Sequence, residues 1–191
     1  MMVEANGWLD VATRRLSPNF DDRPPATAID LLVIHGISLP PGQFGGPHVE
    51  ALFCNTLDYA LDPSFAPLTW LKVSAHVLIR RKGELLQFVP FTKRAWHAGE
   101  SFFGGRARCN DFSIGIELEG CDDRRYEARQ YSALAELTAS LMATYPGISA
   151  DRVVGHSDIA PGRKTDPGVA FDWTRFNTLL AQRAGENRVV A

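Results

Sequence analysis

The chain has 191 residues, 45% of them hydrophobic and 22% charged, with a formal net charge of −2. That length suits one domain with a sizeable core, and the composition excludes disordered, collagen-like and low-complexity chains. The charge balance excludes the dense basic surface that nucleic-acid binding needs. Three cysteines, Cys54, Cys109 and Cys121, are odd in number and lack C-x-x-C spacing, so reduced thiols are expected rather than a disulfide framework or zinc knuckle. The opening MMVEANGWLD carries Glu4 and Asp10 where an export signal needs a basic start and an apolar stretch. The apolar runs are strand-sized, far short of a membrane span. A cytoplasmic protein without a membrane segment is the expectation.

Residues 1–28 are polar and rich in proline, which predicts an extended lead-in packed on the domain. The run at 29–34 (IDLLVI) reads as a buried strand whose end presents His35. Three prolines and three glycines in SLPPGQFGGP make residues 38–47 a loop. From 48 to 61 the apolar residues Val49, Leu52, Phe53, Leu57 and Leu61 recur at helical intervals, with Asp62-Pro63 as a stop. Residues 73–90 have the layout of a hairpin turning at Lys82-Gly83. Residues 112–118 (FSIGIEL) are strand-like, and 127–145 form the clearest helix, with Tyr131, Leu134, Leu137, Thr138, Leu141 and Tyr145 on one face. A short strand at 153–155 delivers His156, Asp172 is an N-cap for a last helix, and the tail 185–191 is expected to be flexible. The hairpin forces an antiparallel pair into an otherwise interleaved order. The predicted fold is α/β: a single domain over 29–184, with a central mixed sheet flanked by helices.

His35 and His156 each follow a short branched run and precede a loop, which puts both imidazoles at strand ends on one rim of the sheet. Asp166 lies in a loop stiffened by Pro161 and Pro167 and can fold back to the same point. Two histidines and an aspartate suit one zinc ion, and three protein ligands leave a fourth position open, the catalytic arrangement. The competing reading is a pair of hydrogen-bonded strand-end histidines, because no compact metal signature is present. Lys164, two residues before Asp166, suits stabilisation of an oxyanion, or else is a surface lysine paired with Asp166. Glu117 sits among apolar neighbours in its strand, where burial raises its pKa and suits it to take a proton from an attacking water. Glu119 shares its face, and period two cannot choose between them. His97 in AWHAG is a candidate pocket-lining, substrate-touching residue; His76 reads as structural and His48 as solvated. Arg108 is a candidate clamp for a substrate carboxylate. Cys109 is a rival nucleophile, with no base placed beside it by sequence.

The segments LLVIHGISLPPGQFGGP, VSAHVLIRRKGELLQFVPFTKRAWHAGESFFGGRARCNDFSIGIELEG and GHSDIAPGRKTDPG resemble the zinc-dependent N-acetylmuramoyl-L-alanine amidases. The SLPPGQFGGP and RCNDFSIGIELEG stretches point to their cytoplasmic branch, the 1,6-anhydro-N-acetylmuramyl-L-alanine amidases of peptidoglycan recycling. The resemblance implies the peptidoglycan amidase/recognition-protein-like fold and one zinc on His35, His156 and Asp166. It further implies Glu117 as general base, Lys164 at the oxyanion, and Arg108 and Ala160 beside an anhydromuropeptide substrate. Lys72 stands where relatives often carry a clamping arginine, keeping charge but losing the bidentate fork. Gly36 stands where many carry asparagine, so a hydrogen bond near the metal is missing or supplied by water. The implied reaction is hydrolysis of the amide between the lactyl group and L-alanine, with an indirect effect on β-lactamase induction. A broad amidase acting on intact peptidoglycan and a non-catalytic recognition module are the alternatives. No nucleic-acid or membrane partner is expected, and a monomer is the default.

Overall fold

The structure, a computed structural model, describes residues 1–189. Its centre is a six-stranded sheet built from β1 (Thr13–Arg14), β2 (Leu31–Ile37), β3 (Val77–Ile79), β4 (Leu85–Gln87), β5 (Ser113–Glu119) and β6 (Val153–Gly155). The strand order is β1-β4-β3-β5-β2-β6. Every neighbouring pair is parallel except the β3–β4 hairpin, so the sheet is mixed, as the turn at Lys82-Gly83 requires. The helices are α1 (His48–Phe53), α2 (Ala128–Thr144), α3 (His156–Ile159) and α4 (Trp173–Val189).

Alternation along the two long central strands divides the molecule. Leu32 and Ile34 of β2 and Ile114, Ile116 and Leu118 of β5 pack with Tyr131, Leu134, Leu137 and Leu141 of α2 and Phe176 and Leu180 of α4. The other face carries two separate apolar clusters. Leu78, Leu86 and Phe88 pack there with Val49, Leu52 and Phe53 of α1 and with Phe65, while Leu31 and Val33 pack with Cys109, Phe112 and Ile159. Period two puts His35, Ser113, Gly115, Glu117 and Glu119 on this second face. Each fully buried Leu, Ile or Phe contributes about 1.5–3 kcal/mol. A one-residue slip of β5 would drive Glu117 under α2 and strip Ile114, Ile116 and Leu118 from the core, so the register is strongly fixed.

Three sequence expectations meet a more detailed structure. The helix expected over 48–61 stops at Phe53, because Asn55 adopts the left-handed conformation (φ 57°) that terminates helices. Leu57 still reaches the same core from non-helical backbone, which is why the apolar spacing reads as one helix, and Phe65 joins it from a 3-10 helix over Pro63–Leu68. The lead-in 1–28 is extended but integral: Thr13–Arg14 extends the sheet beside β4, and Phe20–Asp21 pairs with Arg94–Ala95. The Arg23 guanidinium donates to the carbonyls of Phe91, Asn110, Asp111 and Ser113. At the other end α4, capped by Asp172 Oδ1 accepting from the Arg175 amide at 2.9 Å, runs through Val189. The expected flexible tail 185–191 therefore overlaps the end of α4, and residues 190–191 lie outside the described residues.

Gly36 has a definite structural cause. By alternation its missing side chain points to the α2 face, where a Cβ would lie 2.3 Å from Tyr126 Oη. Tyr126 is buried and donates to the Pro167 carbonyl at 2.8 Å, which ties down the loop carrying Asp166. The absence of a side chain at position 36 thus makes room for Tyr126 and removes nothing from the face that carries His35. Gly36→Ala is expected to lower unfolding stability by about 1–3 kcal/mol, read as a shifted urea midpoint with unchanged slope.

Candidate metal centre

β2 continues two residues past His35 to Ile37, so this histidine sits inside the strand rather than at the end expected from sequence, because Gly36 and Ile37 still pair with Leu118 and Glu119. The parallel β2–β6 pairing brings His156, at the start of α3, beside it. Asp166 folds back from the following loop. His35 Nδ1 and His156 Nδ1 lie 2.9 Å apart, and Asp166 Oδ2 is 3.0 Å from His156 Nδ1 and 3.3 Å from His35 Nδ1. The three ligand atoms all fall within 4.8 Å of one another. Both imidazoles are buried.

The three converging atoms form a donor set that a cation would fit. His156 Nε2 stands 3.2 Å from the Ala98 carbonyl, which only accepts, so this nitrogen carries a hydrogen, and the neutral ring that a metal would bind offers its lone pair at Nδ1. Burial depresses His35 to about 4, with Asp166 opposing, so its ring is neutral at neutral pH. A neutral His35 supplies at most one hydrogen to three converging acceptors. A divalent cation satisfies all three at once.

Glu117 pairs in register with His35 across β5 and β2. Among the described residues its Oε2 has no hydrogen-bond partner although it is buried. Burial, reinforced by the Asp166 carboxylate and only partly offset by Lys164, raises its pKa well above the ordinary value. Glu119, its rival, is fully engaged: it accepts from the Gly45 amide at 2.6 Å and the Arg81 amide at 3.2 Å and pairs with Arg80 at 3.4 Å. Glu119 therefore anchors the 38–47 loop, and Glu117 is the carboxyl left free for chemistry.

A pocket of about 220 Å³ opens above these groups. His97, Glu117, His156, Lys164 and Asp166 form its polar side, and Leu39, Leu52, Phe53, Leu68, Leu71 and Val73 its apolar wall. The wall is illegible in the sequence because it is assembled from three separate segments, around Leu39, around Leu52 and Phe53, and over 68–73. Lys164 is thus brought to the metal-ligating cluster. Lys72 is not among the pocket-lining residues, although its neighbours Leu71 and Val73 are. Arg108 is 71% exposed by side chain, in a left-handed backbone conformation, paired with Asp111 at 3.3 Å. Ala160 is buried and lines a neighbouring cleft with Ser101, Phe102, Pro161 and Arg163.

His97 lines the pocket, but both its ring nitrogens are occupied, Nδ1 by His35 Nε2 at 2.9 Å and Nε2 by Ser113 Oγ at 3.1 Å. His76 is structural, as expected, with Nδ1 accepting from the Gly115 amide at 3.0 Å. Cys109 is buried and burial raises its thiol pKa, which disfavours the thiolate a nucleophile needs. Two supports escape sequence reading. Asn110 Oδ1 accepts from the amides of His97 and Ala98 at 3.1 and 2.8 Å, and Arg163 donates to the carbonyls of Ala98 and Glu100 at 2.7 and 2.5 Å. Arg163 thereby pins the loop of His97 to the loop of Asp166.

Comparison with known proteins agrees with this geometry. The family model described as N-acetylmuramoyl-L-alanine amidase matches residues 25–169. The chain is 58% identical over 180 residues to the 1,6-anhydro-N-acetylmuramyl-L-alanine amidase AmpD of Salmonella typhimurium, covering 94% of this chain and 96% of that protein. It is 56% identical over 181 residues to the Escherichia coli AmpD, covering 95% and 98%. A crystal structure of a selenomethionine AmpD derivative superposes with a TM-score of 0.91 at 56% identity, covering 94% of this chain and 99% of that one. The E. coli amidase AmiD, solved with anhydro-N-acetylmuramic acid-L-Ala-D-gamma-Glu-L-Lys, superposes with a TM-score of 0.59 at 31% identity, covering 84% and 65%. The sheet with its flanking helices is therefore the fold of these enzymes, and the chain belongs to the N-acetylmuramoyl-L-alanine amidase family.

Proposed function

We propose that the chain hydrolyses the amide joining the lactyl group of 1,6-anhydro-N-acetylmuramic acid to the L-alanine of a stem peptide, in cytoplasmic peptidoglycan recycling. The observation that carries this reading is the convergence of His35, His156 and Asp166 beside Glu117, whose Oε2 is unpartnered, with Glu117, His156 and Asp166 lining one pocket. The anhydro sugar in the names of the relatives supports the substrate, as does the anhydromuropeptide held by AmiD. No helix among the described residues is long and apolar enough to cross a membrane.

His35 Nδ1, His156 Nδ1 and Asp166 Oδ2 would hold one zinc ion, since two imidazoles and one carboxylate form a borderline donor set. Bound there, zinc supplies Lewis-acid polarisation of the amide carbonyl and acidification of water. Glu117 takes the proton of the attacking water at its free Oε2 and hands it to the departing amine as the carbon–nitrogen bond breaks. The products are the lactyl carboxylate and the free peptide amine. The Lys164 ammonium, on the same pocket wall, balances the negative charge that develops on the carbonyl oxygen. The apolar wall excludes water around these charges and strengthens their interaction. Lys72, next to pocket-lining Leu71 and Val73, and the exposed Arg108 are the cations we assign to substrate carboxylates. Ala160 we assign to backbone-level contact beside the sugar-peptide.

Mass spectrometry of purified protein offered anhydromuramoyl-tripeptide and intact peptidoglycan together tests the substrate. Chelator-sensitive release of tripeptide with strong preference for the anhydro compound is expected; equal release from intact wall would make it a broad wall amidase. Asp166→Ala should lose zinc and activity together, whereas Glu117→Ala should keep zinc and lose about 10²- to 10⁴-fold in rate. A normal rate in that variant would remove Glu117 from the reaction.

Glu117 also predicts a pH signature in zinc-stripped protein. An unfolded Glu117 ionises near 4.5, while the folded carboxyl stays protonated to higher pH, so the folded state binds the extra proton. Stability is therefore lost as pH rises above that unfolded value. Denaturant titrations should find Glu117→Gln more stable than wild type at pH 7, with the gap closing toward pH 4. An unchanged gap across that range would show that Glu117 is not desolvated.

A further inference from the structure

His156 reaches an acceptor directly through Nε2, the Ala98 carbonyl. His35 does not: its Nε2 meets another imidazole, which can donate or accept. What decides the direction lies two residues further along the hydrogen-bond chain. Ser113 Oγ is 2.6 Å from the Cys109 carbonyl, and a carbonyl only accepts, so the serine hydroxyl hydrogen points there. The same oxygen, 3.1 Å from His97 Nε2, is then left to accept, and His97 Nε2 must carry a hydrogen. Neutral His97 therefore has a lone pair on Nδ1, which lies 2.9 Å from His35 Nε2 and accepts its hydrogen. His35 Nδ1 is left as a lone pair, facing His156 Nδ1 and Asp166 Oδ2.

We infer that His97 and Ser113 are positioning residues that fix the tautomer and ring orientation of His35, so that it presents Nδ1 to the metal. This inference rests on the metal-site reading above and gives His97 a role other than the substrate contact expected from sequence. The surrounding structure is built around the relay. A Cβ at Gly115 would lie 2.4 Å from the His97 ring, so the small residue of the β5 sequence SIGIE is the space that ring occupies. The Asn110 side chain holds the His97 and Ala98 amides, which fixes both second partners, His97 for His35 and Ala98 for His156, from one residue. Ser113, Gly115 and Glu117 alternate on one strand, so β5 supplies the anchor of the relay, its space and the proposed base.

Partners of this kind are typically worth 10- to 100-fold in metal affinity. His97→Leu removes the acceptor and should weaken zinc binding by about that factor, measured by chelator competition. His97→Asn is the rescue, because its Oδ1 can stand where Nδ1 stood and accept from His35; zinc affinity should return to within a few-fold of wild type. Ser113→Ala leaves the ring in place without its anchor and should give an intermediate loss. Nitrogen-15 NMR of the zinc-stripped wild-type protein supplies a readout that needs no variant: His35 should be the Nε2–H tautomer. An Nδ1–H tautomer there, or unchanged zinc affinity in a folded His97→Leu protein, would overturn the relay while leaving the metal site standing. Failure of wild-type protein to bind zinc at all would instead remove the reading on which the relay rests.

Discussion

Parallel pairing of β2 with β5 in a single register sets His35 opposite Glu117, and most of what the protein does follows from that alignment. The apolar residues alternating with them, Leu32 and Ile34 on one strand and Ile114, Ile116 and Leu118 on the other, are fully committed under α2 and α4. The hydrophobic core therefore does more than hold the sheet together. It locks the phase of both strands, and the phase decides which side chains face the pocket. Pairing of β6 on the outer edge of β2 then carries His156 to the same rim.

Concentrating polar groups at that rim is unfavourable for the isolated fold, and the surroundings show how the cost is contained. Loops are pinned by saturated hydrogen bonds: Arg163 to the Ala98 and Glu100 carbonyls, Asn110 to two amides, Tyr126 to the Pro167 carbonyl, and Glu119 to the Gly45 and Arg81 amides. Against this background of satisfied groups, Glu117 Oε2 and the three converging acceptor atoms are conspicuous. Apart from Thr138 Oγ1, Glu117 Oε2 is the one buried side-chain oxygen or nitrogen without a partner among the described residues, and it stands where a cation and a reacting substrate would supply the missing partners.

The parts of this arrangement that depend on local pattern are legible in the sequence. The apolar spacing of α2, the glycine turn of the hairpin and the branched runs ending in His35 and His156 each follow from a few consecutive residues. Parts that depend on distant contacts are not. The end of α1 is set by the conformation of Asn55 rather than by periodicity. The choice between Glu117 and Glu119 is made by Gly45, Arg80 and Arg81, none of them near in sequence. Gly36 is explained by a tyrosine that comes from the segment before α2, and the pairing of His97 with His35 by a loop whose position nothing in AWHAG announces. The family resemblance brings forward the metal and its ligands, whereas burial, partner counting and hydrogen-bond direction are visible only once the chain is folded.

The most direct measurement of the central claim is crystallography of zinc-loaded protein with diffraction collected on both sides of the zinc absorption edge. A single ion bound by Nδ1 of His35, Nδ1 of His156 and the carboxylate of Asp166, lost together with amidase activity on chelation, is the predicted result. An ion held elsewhere, or full activity in protein that holds none, would contradict it.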